Sequence, residues 1–350
     1  MYSFRTSGFN GYAVQYSPFF DSRLACAASA NFGLVGNGRL YVLGLTPSGI
    51  VAEKWFDTQD GLFDCAWSEI HENQIVTATG DGSIKLFDIT LNDYPVQSWR
   101  EHTREVFSAN WNLVEKTTFC TSSWDGLIKL WSPARPKSIA TLQPRNAPLS
   151  CTYAASYSPY NATLIASCSS DSYLRLWDPR VGDGPINSIY AHNGAEILSL
   201  DWNKYRPDII ATSSVDRTIK IWDLRFTNRA GPMQSASPPA MSNASPVNEL
   251  YGHDYAVRKI AWSPHASGLL LSASYDMTAR VWEDKTAFKQ SATQPSISRL
   301  HHGGGLRGVW DRHSEFVVGC DWSLWGAEGW VCTVGWDEMV WVWDIRAVLR

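Results

Sequence analysis

The 350-residue sequence has no apolar run approaching the ~18 residues of a membrane-spanning helix, although 44% of it is hydrophobic. A helical membrane protein is excluded, and the apolar share is ample for a core. A basic field is missing too: 30 Lys and Arg stand against 34 Asp and Glu, the net charge is −4, and no Lys/Arg cluster stands out. A phosphate backbone finds little attraction here, which excludes nucleic acid as a partner. The seven cysteines are odd in number, form no Cys-x-x-Cys pair and occupy scattered strand-like positions such as Cys120, Cys168 and Cys320. They read as small buried hydrophobes in a reducing compartment. Met1-Tyr2-Ser3-Phe4-Arg5 holds no signal-peptide core and Val348-Leu349-Arg350 is no receptor-read address, which predicts a cytosolic location.

What the sequence has is repetition. The stretch Ser122-Ser123-Trp124-Asp125-Gly126-Leu127-Ile128-Lys129-Leu130-Trp131 joins an Asp-Gly turn signal to an alternation of apolar residues and a charge, predicting a tight turn that feeds a half-buried strand. Near-copies follow Asp81, Asp171, Asp216, Asp276 and Asp337, with Phe87, Trp177, Trp222, Trp282 and Trp343 six residues after the acid; Asn37 with Leu43 is a weaker copy. A second marker, an aromatic followed by Ser or Asn, lies fourteen residues before the acid at Trp67, Trp111, Tyr157, Trp202 and Trp262. Trp322 stands fifteen before its acid, and Tyr16 twenty-one before Asn37. The unit ends at 43, 87, 131, 177, 222, 282 and 343 are 44 to 46 apart except for two intervals near 60. A strand-rich unit with a period of roughly 40–45 residues resembles the WD repeat and implies an all-β fold, a seven-bladed WD-repeat β-propeller that uses residues 1–350 as a single domain.

Six units carry Ser or Thr four residues before the acid, at Thr77, Thr121, Ser167, Thr212, Ser272 and Thr333. Four also have a histidine 23 or 24 residues before it, giving the sets His102/Thr121/Asp125/Trp131, His192/Thr212/Asp216/Trp222, His253/Ser272/Asp276/Trp282 and His313/Thr333/Asp337/Trp343. A nucleophilic centre needs one exposed Ser-His-Asp set beside an oxyanion hole, not four copies in register. The sets are therefore assigned a structural role, no catalytic residue is named, and the chain is read as a non-enzyme that needs no cofactor. Resemblance to WD-repeat proteins implies that each set forms a buried hydrogen-bond chain between strands, and that residues 3–7 supply the outer strand of the last blade.

The first unit departs from the pattern, with Gly33-Leu34-Val35-Gly36-Asn37-Gly38 in place of a hydroxyl and an acid, and is expected to be held by packing alone. The two long intervals hold a Ser/Pro/Ala/Asn-rich stretch at 227–248, read as a disordered loop, and a second long loop at 285–312. In the latter, His301 and His302 lack neighbouring carboxylates or cysteines and read as solvated residues rather than metal ligands, while Trp310 reads as a cap on the blade edge.

In WD-repeat proteins the usual contact positions are the fourth and sixth residues before the aromatic marker and the residue preceding the acid. Here these positions put Tyr12, Phe63, Phe107 and Trp124 on one face, followed by Tyr153, Leu198, Tyr275, Phe316 and Trp336. Arg258 joins them, Glu105 and Glu196 punctuate the set, and Asp60 flanks the rim. A large apolar patch with a few placed charges marks a partner site; the competing reading is that some of the rings tilt inward and plug the channel. Aromatic floors with isolated acids suit an amphipathic helix carrying leucines and a basic residue.

The stretches Asp60-Gly61-Leu62-Phe63-Asp64, Arg104-Glu105-Val106-Phe107-Ser108, Ala195-Glu196-Ile197-Leu198-Ser199, Gly252-His253-Asp254-Tyr255-Ala256-Val257-Arg258 and Ser272-Ala273-Ser274-Tyr275-Asp276 resemble the peroxin-7 family, cytosolic receptors for the type-2 peroxisomal targeting signal. The resemblance implies a ligand: the N-terminal segment of peroxisomal matrix proteins such as 3-ketoacyl-CoA thiolase, reading Arg-Leu, five variable residues, then His/Gln-Leu. A helix displays those four residues along one side. The resemblance also implies a peroxisomal import co-receptor, a docking complex at the peroxisomal membrane, and cycling between cytosol and peroxisome. Glu105 and Glu196, with Asp60 as a third acid, are assigned to the basic groups of the signal. The alternative is a generic WD-repeat adaptor such as a ubiquitin-ligase substrate receptor.

Overall fold

The repeat found in the sequence is a strand repeat. In the computed structural model, which describes residues 1–91, 94–144, 148–227, 244–286 and 304–349, each unit forms a four-stranded antiparallel sheet, and seven such sheets make the blades of a propeller. The third blade shows the plan: Val106–Trp111 is innermost, followed outward by Phe119–Ser123, Ile128–Trp131 and Ala140–Leu142. The unit ends lie within the last four residues of the third strands, and each blade is completed by a fourth strand.

Strand Ile128–Trp131, expected half-buried, is buried throughout, Lys129 included. Both faces of a blade pack against neighbouring blades, and Lys129 escapes only at its tip, where its Nζ lies 3.0 Å from Thr141 Oγ1 and 3.4 Å from Glu101. The terminal residues Leu43, Phe87, Trp131, Trp177, Trp222, Trp282 and Trp343 are all at most 2% exposed.

The aromatic markers join blade to blade. The backbone N–H of Tyr16 donates to Asp321 of the seventh blade (2.9 Å), that of Trp67 to Gln15 (2.8 Å), that of Tyr157 to Asn110 (3.0 Å) and that of Trp262 to Asp201 (2.7 Å). At the other three joints the indole N–H bonds to the preceding blade: Trp111 to the Ala66 carbonyl, Trp202 to Ser156 and Trp322 to Ala261. Every joint of the ring is thereby bonded. The seventh sheet is completed by Tyr2–Arg5, which pairs with Met339–Asp344 from Tyr2 opposite Val342 to Arg5 opposite Met339.

Three loop readings need correction. Asn248–Leu250 is the outer strand of the fifth blade and Gly304–Trp310 that of the sixth, so 227–248 and 285–312 are not loops throughout. Trp310 is no edge cap: it is buried and stacked on Trp343 at 4.6 Å. Residues 228–243 and His301 and His302 lie outside the described residues. The first blade is not held by packing alone either. Arg39 pairs with Asp57 (2.6 Å) and lies over the Phe9 ring, while Arg23 pairs with Glu53 (2.9 Å).

Candidate ligand-binding face

A local backbone feature aims the side chains of the face. In every innermost strand the pairing slips by one residue near its start, leaving Tyr12, Phe63, Phe107, Tyr153, Leu198, Arg258 and Val318 as the unpaired residues. Such a bulge turns a side chain out of the alternation and re-aims it. These are the fourth positions before the marker, so the slip explains why that position, rather than its neighbours, meets the mouth of the ring. In six blades the residue preceding the acid donates its N–H to the carbonyl of the sixth position before the marker: Gly80 to Gly61, Trp124 to Glu105, Ser170 to Cys151, Val215 to Glu196, Tyr275 to Ala256 and Trp336 to Phe316.

The rings that result form a belt. From the fourth blade it runs Tyr153 to Trp124 (6.2 Å), Trp124 to Phe107 (4.6 Å, stacked), Phe107 to Phe63 (4.7 Å, stacked) and Phe63 to Tyr12 (5.0 Å). It continues through Trp336 (5.7 Å) and Phe316 (5.3 Å) to Tyr275 (4.9 Å) on the sixth blade. The belt opens at the fifth blade, where Leu198 and Val215 stand. Tyr12, Phe63 and Leu198 are buried, which corrects their reading as exposed contacts: they are the floor. Phe107, Trp124, Tyr153, Tyr275, Phe316 and Trp336 are half-buried. The indole N–H groups of Trp124 and Trp336 are buried with no acceptor.

The acids sit in different settings. Glu196 receives the Tyr153 hydroxyl at 2.6 Å, which ties it to the belt, and burial together with this carboxylate pushes the phenol of Tyr153 up. Glu105 lies 3.4 Å from Arg104 and keeps a third of its side chain exposed. Asp60 accepts the Gly61 N–H (2.7 Å), and a Cβ on Gly80 would come within 3.0 Å of its carboxylate. Arg258 reaches from the sixth blade to lie 5.6 Å from the Phe107 ring centre and to donate to the Leu198 carbonyl (3.3 Å).

Two features of this face escaped the sequence reading. The loop after the second strand of the first blade holds Asn31 and Phe32 in the left-handed region and exposes Phe32, Leu34 and Val35, with Phe32 5.5 Å from Trp336. A side chain on Gly33 would strike Phe63 and Tyr12, so the Gly-rich run that looked like a defect is what lets this loop lie on the belt. The second feature is a cavity of about 480 Å³ between blades five, six and seven, lined by Val215, Tyr255, Tyr275, Met277 and Phe316 among others.

Away from the face, the histidine sets are continuous hydrogen-bond chains. His102 bridges Asp125 (2.9 Å) and Thr121 (2.9 Å), and Trp131 donates to the same Thr121 hydroxyl (2.8 Å). His192, His253 and His313 repeat the bridge to Asp216 and Thr212, Asp276 and Ser272, and Asp337 and Thr333, with Trp222, Trp282 and Trp343 closing each chain. The imidazoles are at most 1% exposed, which leaves no room for a substrate. In the fourth blade, where no histidine stands, Arg175 binds Asp171 and Ser169 instead.

The model for the WD domain, G-beta repeat, matches residues 93–132, 137–178, 184–223 and 244–283. Relatives align over nearly the whole chain. The peroxisomal targeting signal 2 receptor of Saccharomyces cerevisiae is 44% identical over 98% of this chain and 99% of its own. That of Mus musculus is 36% identical over 97% and 95%, and peroxisome biogenesis protein 7 of Arabidopsis thaliana 41% over 96% and 95%. The chain belongs to the peroxisomal targeting signal 2 receptor family. Within this family framework the belt, the flanking acids and Arg258 are features of the chain's own geometry.

Proposed function

We propose that the protein is a non-enzymatic import receptor that binds, on the aromatic face, the N-terminal type-2 targeting signal of peroxisomal matrix proteins as an amphipathic helix. It does so in the cytosol and delivers its cargo, with a co-receptor, to the docking machinery of the peroxisomal membrane. The observation that carries this reading is the belt: six blades supply one continuous run of rings, flanked by Glu105 and Glu196, to a chain whose full-length relatives are named as receptors for that signal. The rings offer the leucines an apolar floor, and the acids offer the signal's arginine a carboxylate partly withdrawn from water, where a guanidinium pairs more strongly than at a surface. A free cargo N-terminus loses roughly 1–2 kcal/mol of backbone entropy per residue on becoming helical, so a co-receptor covering the helix's outer side supplies contacts that the receptor alone lacks.

A charge exchange tests the reading. Breaking a partly buried interfacial pair costs on the order of 2–5 kcal/mol, so Glu105→Arg abolishes binding of a type-2 signal peptide, measured by calorimetry with co-receptor present, without altering the melt. Arg→Glu in the signal abolishes binding to the unmodified protein, and the two changes together restore part of the affinity. Recovery with Glu196→Arg but not Glu105→Arg moves the contact to Glu196. Recovery with neither refutes the assignment of the arginine to this face.

A further inference from the structure

Among the seven bulged residues at the mouth of the ring, Arg258 alone is charged. Its guanidinium leaves its own blade for Phe107 of the third and the Leu198 carbonyl of the fifth, so it spans the mouth instead of pointing to the rim. Half-buried beside a ring and an aliphatic floor, it gives up water for one carbonyl at 3.3 Å and one aromatic face.

Among the described residues no ion pair joins Arg258 to a carboxylate, and the nearby acids are otherwise engaged. Glu105 faces Arg104 and Glu196 holds the Tyr153 hydroxyl. Asp64, half-buried, accepts the N–H groups of Ala109 (3.0 Å) and Cys65 (3.0 Å). A guanidinium carries five N–H donors in a fixed fork, so most of this one's capacity is unspent. In a collar of rings, unspent donors favour an acceptor above them and a fixed positive charge opposes a second cation.

We propose that Arg258 is a specificity-determining residue: it donates a hydrogen bond to an acceptor on the bound helix and excludes a cation from that position. This rests on the reading of the face as the site of a type-2 signal. In such a signal the arginine belongs to Glu105 or Glu196, and the residue seven positions later is His or Gln. A neutral imidazole and a carboxamide share one acceptor and at least one N–H donor without a charge, and the acceptor is the part that Arg258, a donor only, can engage. The floor thus distinguishes the two polar positions of the helix, an acid for the first and an arginine for the second, and fixes which way round the helix lies.

The test uses the full-length protein with co-receptor and signal peptides carrying His, Gln, Glu or Lys at the second polar position. Binding is read by fluorescence anisotropy at about pH 8, where a free imidazole is neutral. Like charges brought together at an interface are costly, so His, Gln and Glu peptides should bind and the Lys peptide should bind at least about tenfold more weakly. Arg258→Glu should invert the order, with Lys bound more tightly than Gln, and Arg258→Met should erase it. A Lys peptide bound as tightly as Gln by the unmodified protein overturns the proposal even if neither variant folds. So does an unchanged Gln/Lys ratio in variants whose melting is intact, which would leave Arg258 as a tie between blades. Failure of every peptide to bind the unmodified protein overturns the reading of the face itself, and the role of Arg258 with it.

Discussion

At the scale of the residue, two tryptophans seven positions apart do opposite work. Trp131 is fully buried and its indole donates to Thr121 inside the hydrogen-bond chain, whereas Trp124, at the turn, is half-buried and stacks on Phe107 with its own N–H unanswered. Trp131→Ala leaves a cavity and a Thr121 hydroxyl bonded to His102 alone, and removing a buried Trp costs about 3–5 kcal/mol, a large share of a domain's stability. Trp124→Ala forfeits ring contacts of about 0.5–1.5 kcal/mol each but no core. Thermal melts and signal binding should therefore separate them: Trp131→Ala melts far lower, and Trp124→Ala binds weakly while melting close to the unmodified protein. Equal losses of melting temperature would make Trp124 a core residue. Residue type and spacing made this distinction legible, since the position before the acid differs from the position six after it. They did not reveal that Tyr12, Phe63 and Leu198 lie beneath the surface, because that depends on how a bulge aims each side chain and on which ring covers it.

At the scale of the element, the histidine chains built on His192 and His253 make blade stability depend on pH. Burial holds His192 and His253 below the ordinary histidine range even though Asp216 and Asp276 draw them upward. Burial opposes ionisation of those aspartates as well, yet the bonds from the histidines and the threonine hydroxyls win and hold both below the usual carboxylate range. A folded-state pKa below the unfolded one means that the unfolded chain binds more protons as the pH falls. The contribution is then present above the unfolded pKa, about 6.5 for His and about 3.9 for Asp, and is lost on acidification below it. Asp321 acts with the opposite sign: burial pushes it up to about 6, so its contribution is present at low pH and is lost as the pH rises through that value. Replacing His192 and His253 together by Asn should lower the melting temperature at neutral pH and weaken the loss of stability on acidification from about pH 7.5 to 5.5. A variant with the same slope as the unmodified protein would show that the chains do not carry the titration. Register within a repeat is local information, which is why these sets could be read from spacing. Arg175, the fourth blade's substitute, could not, since its partnership with Asp171 replaces a residue that is absent.

At the scale of the whole molecule, the period announced the ring, but the outer strands of the fifth and sixth blades were hidden. Asn248–Leu250 and Gly304–Trp310 lie inside the two long intervals that break the period; the first is only three residues long and the second opens on glycines, so neither stands out from the surrounding stretch. What holds the circle closed is clearer from the structure. Tyr2–Arg5 covers the edge of Met339–Asp344, Phe4 meets the Tyr41 ring of the first blade edge-on at 5.9 Å, and the Tyr2 ring stacks on Trp330. This same seam supports the face, because Asn10 holds the Trp336 carbonyl at 2.7 Å and Tyr12 lies against the Trp336 ring. Removing residues 1–6 strips a strand from the seventh blade, leaves its ladder unpaired and takes two rings from the core shared by the first and last blades. At about 2.1 cal/mol/K of unfolding entropy per residue, a 350-residue protein shifts its melting temperature by roughly 1–2 °C per kcal/mol, so a loss of several kcal/mol should be measurable in a thermal melt. Signal binding should fall with it, since Tyr12 and Trp336 lose their common support. Adding a peptide of residues 1–8 should restore part of both, because the vacated edge offers its backbone groups to any chain of the right pattern. A truncated protein that melts and binds like the full chain would show that the ring is closed by the inter-blade bonds of the inner strands alone.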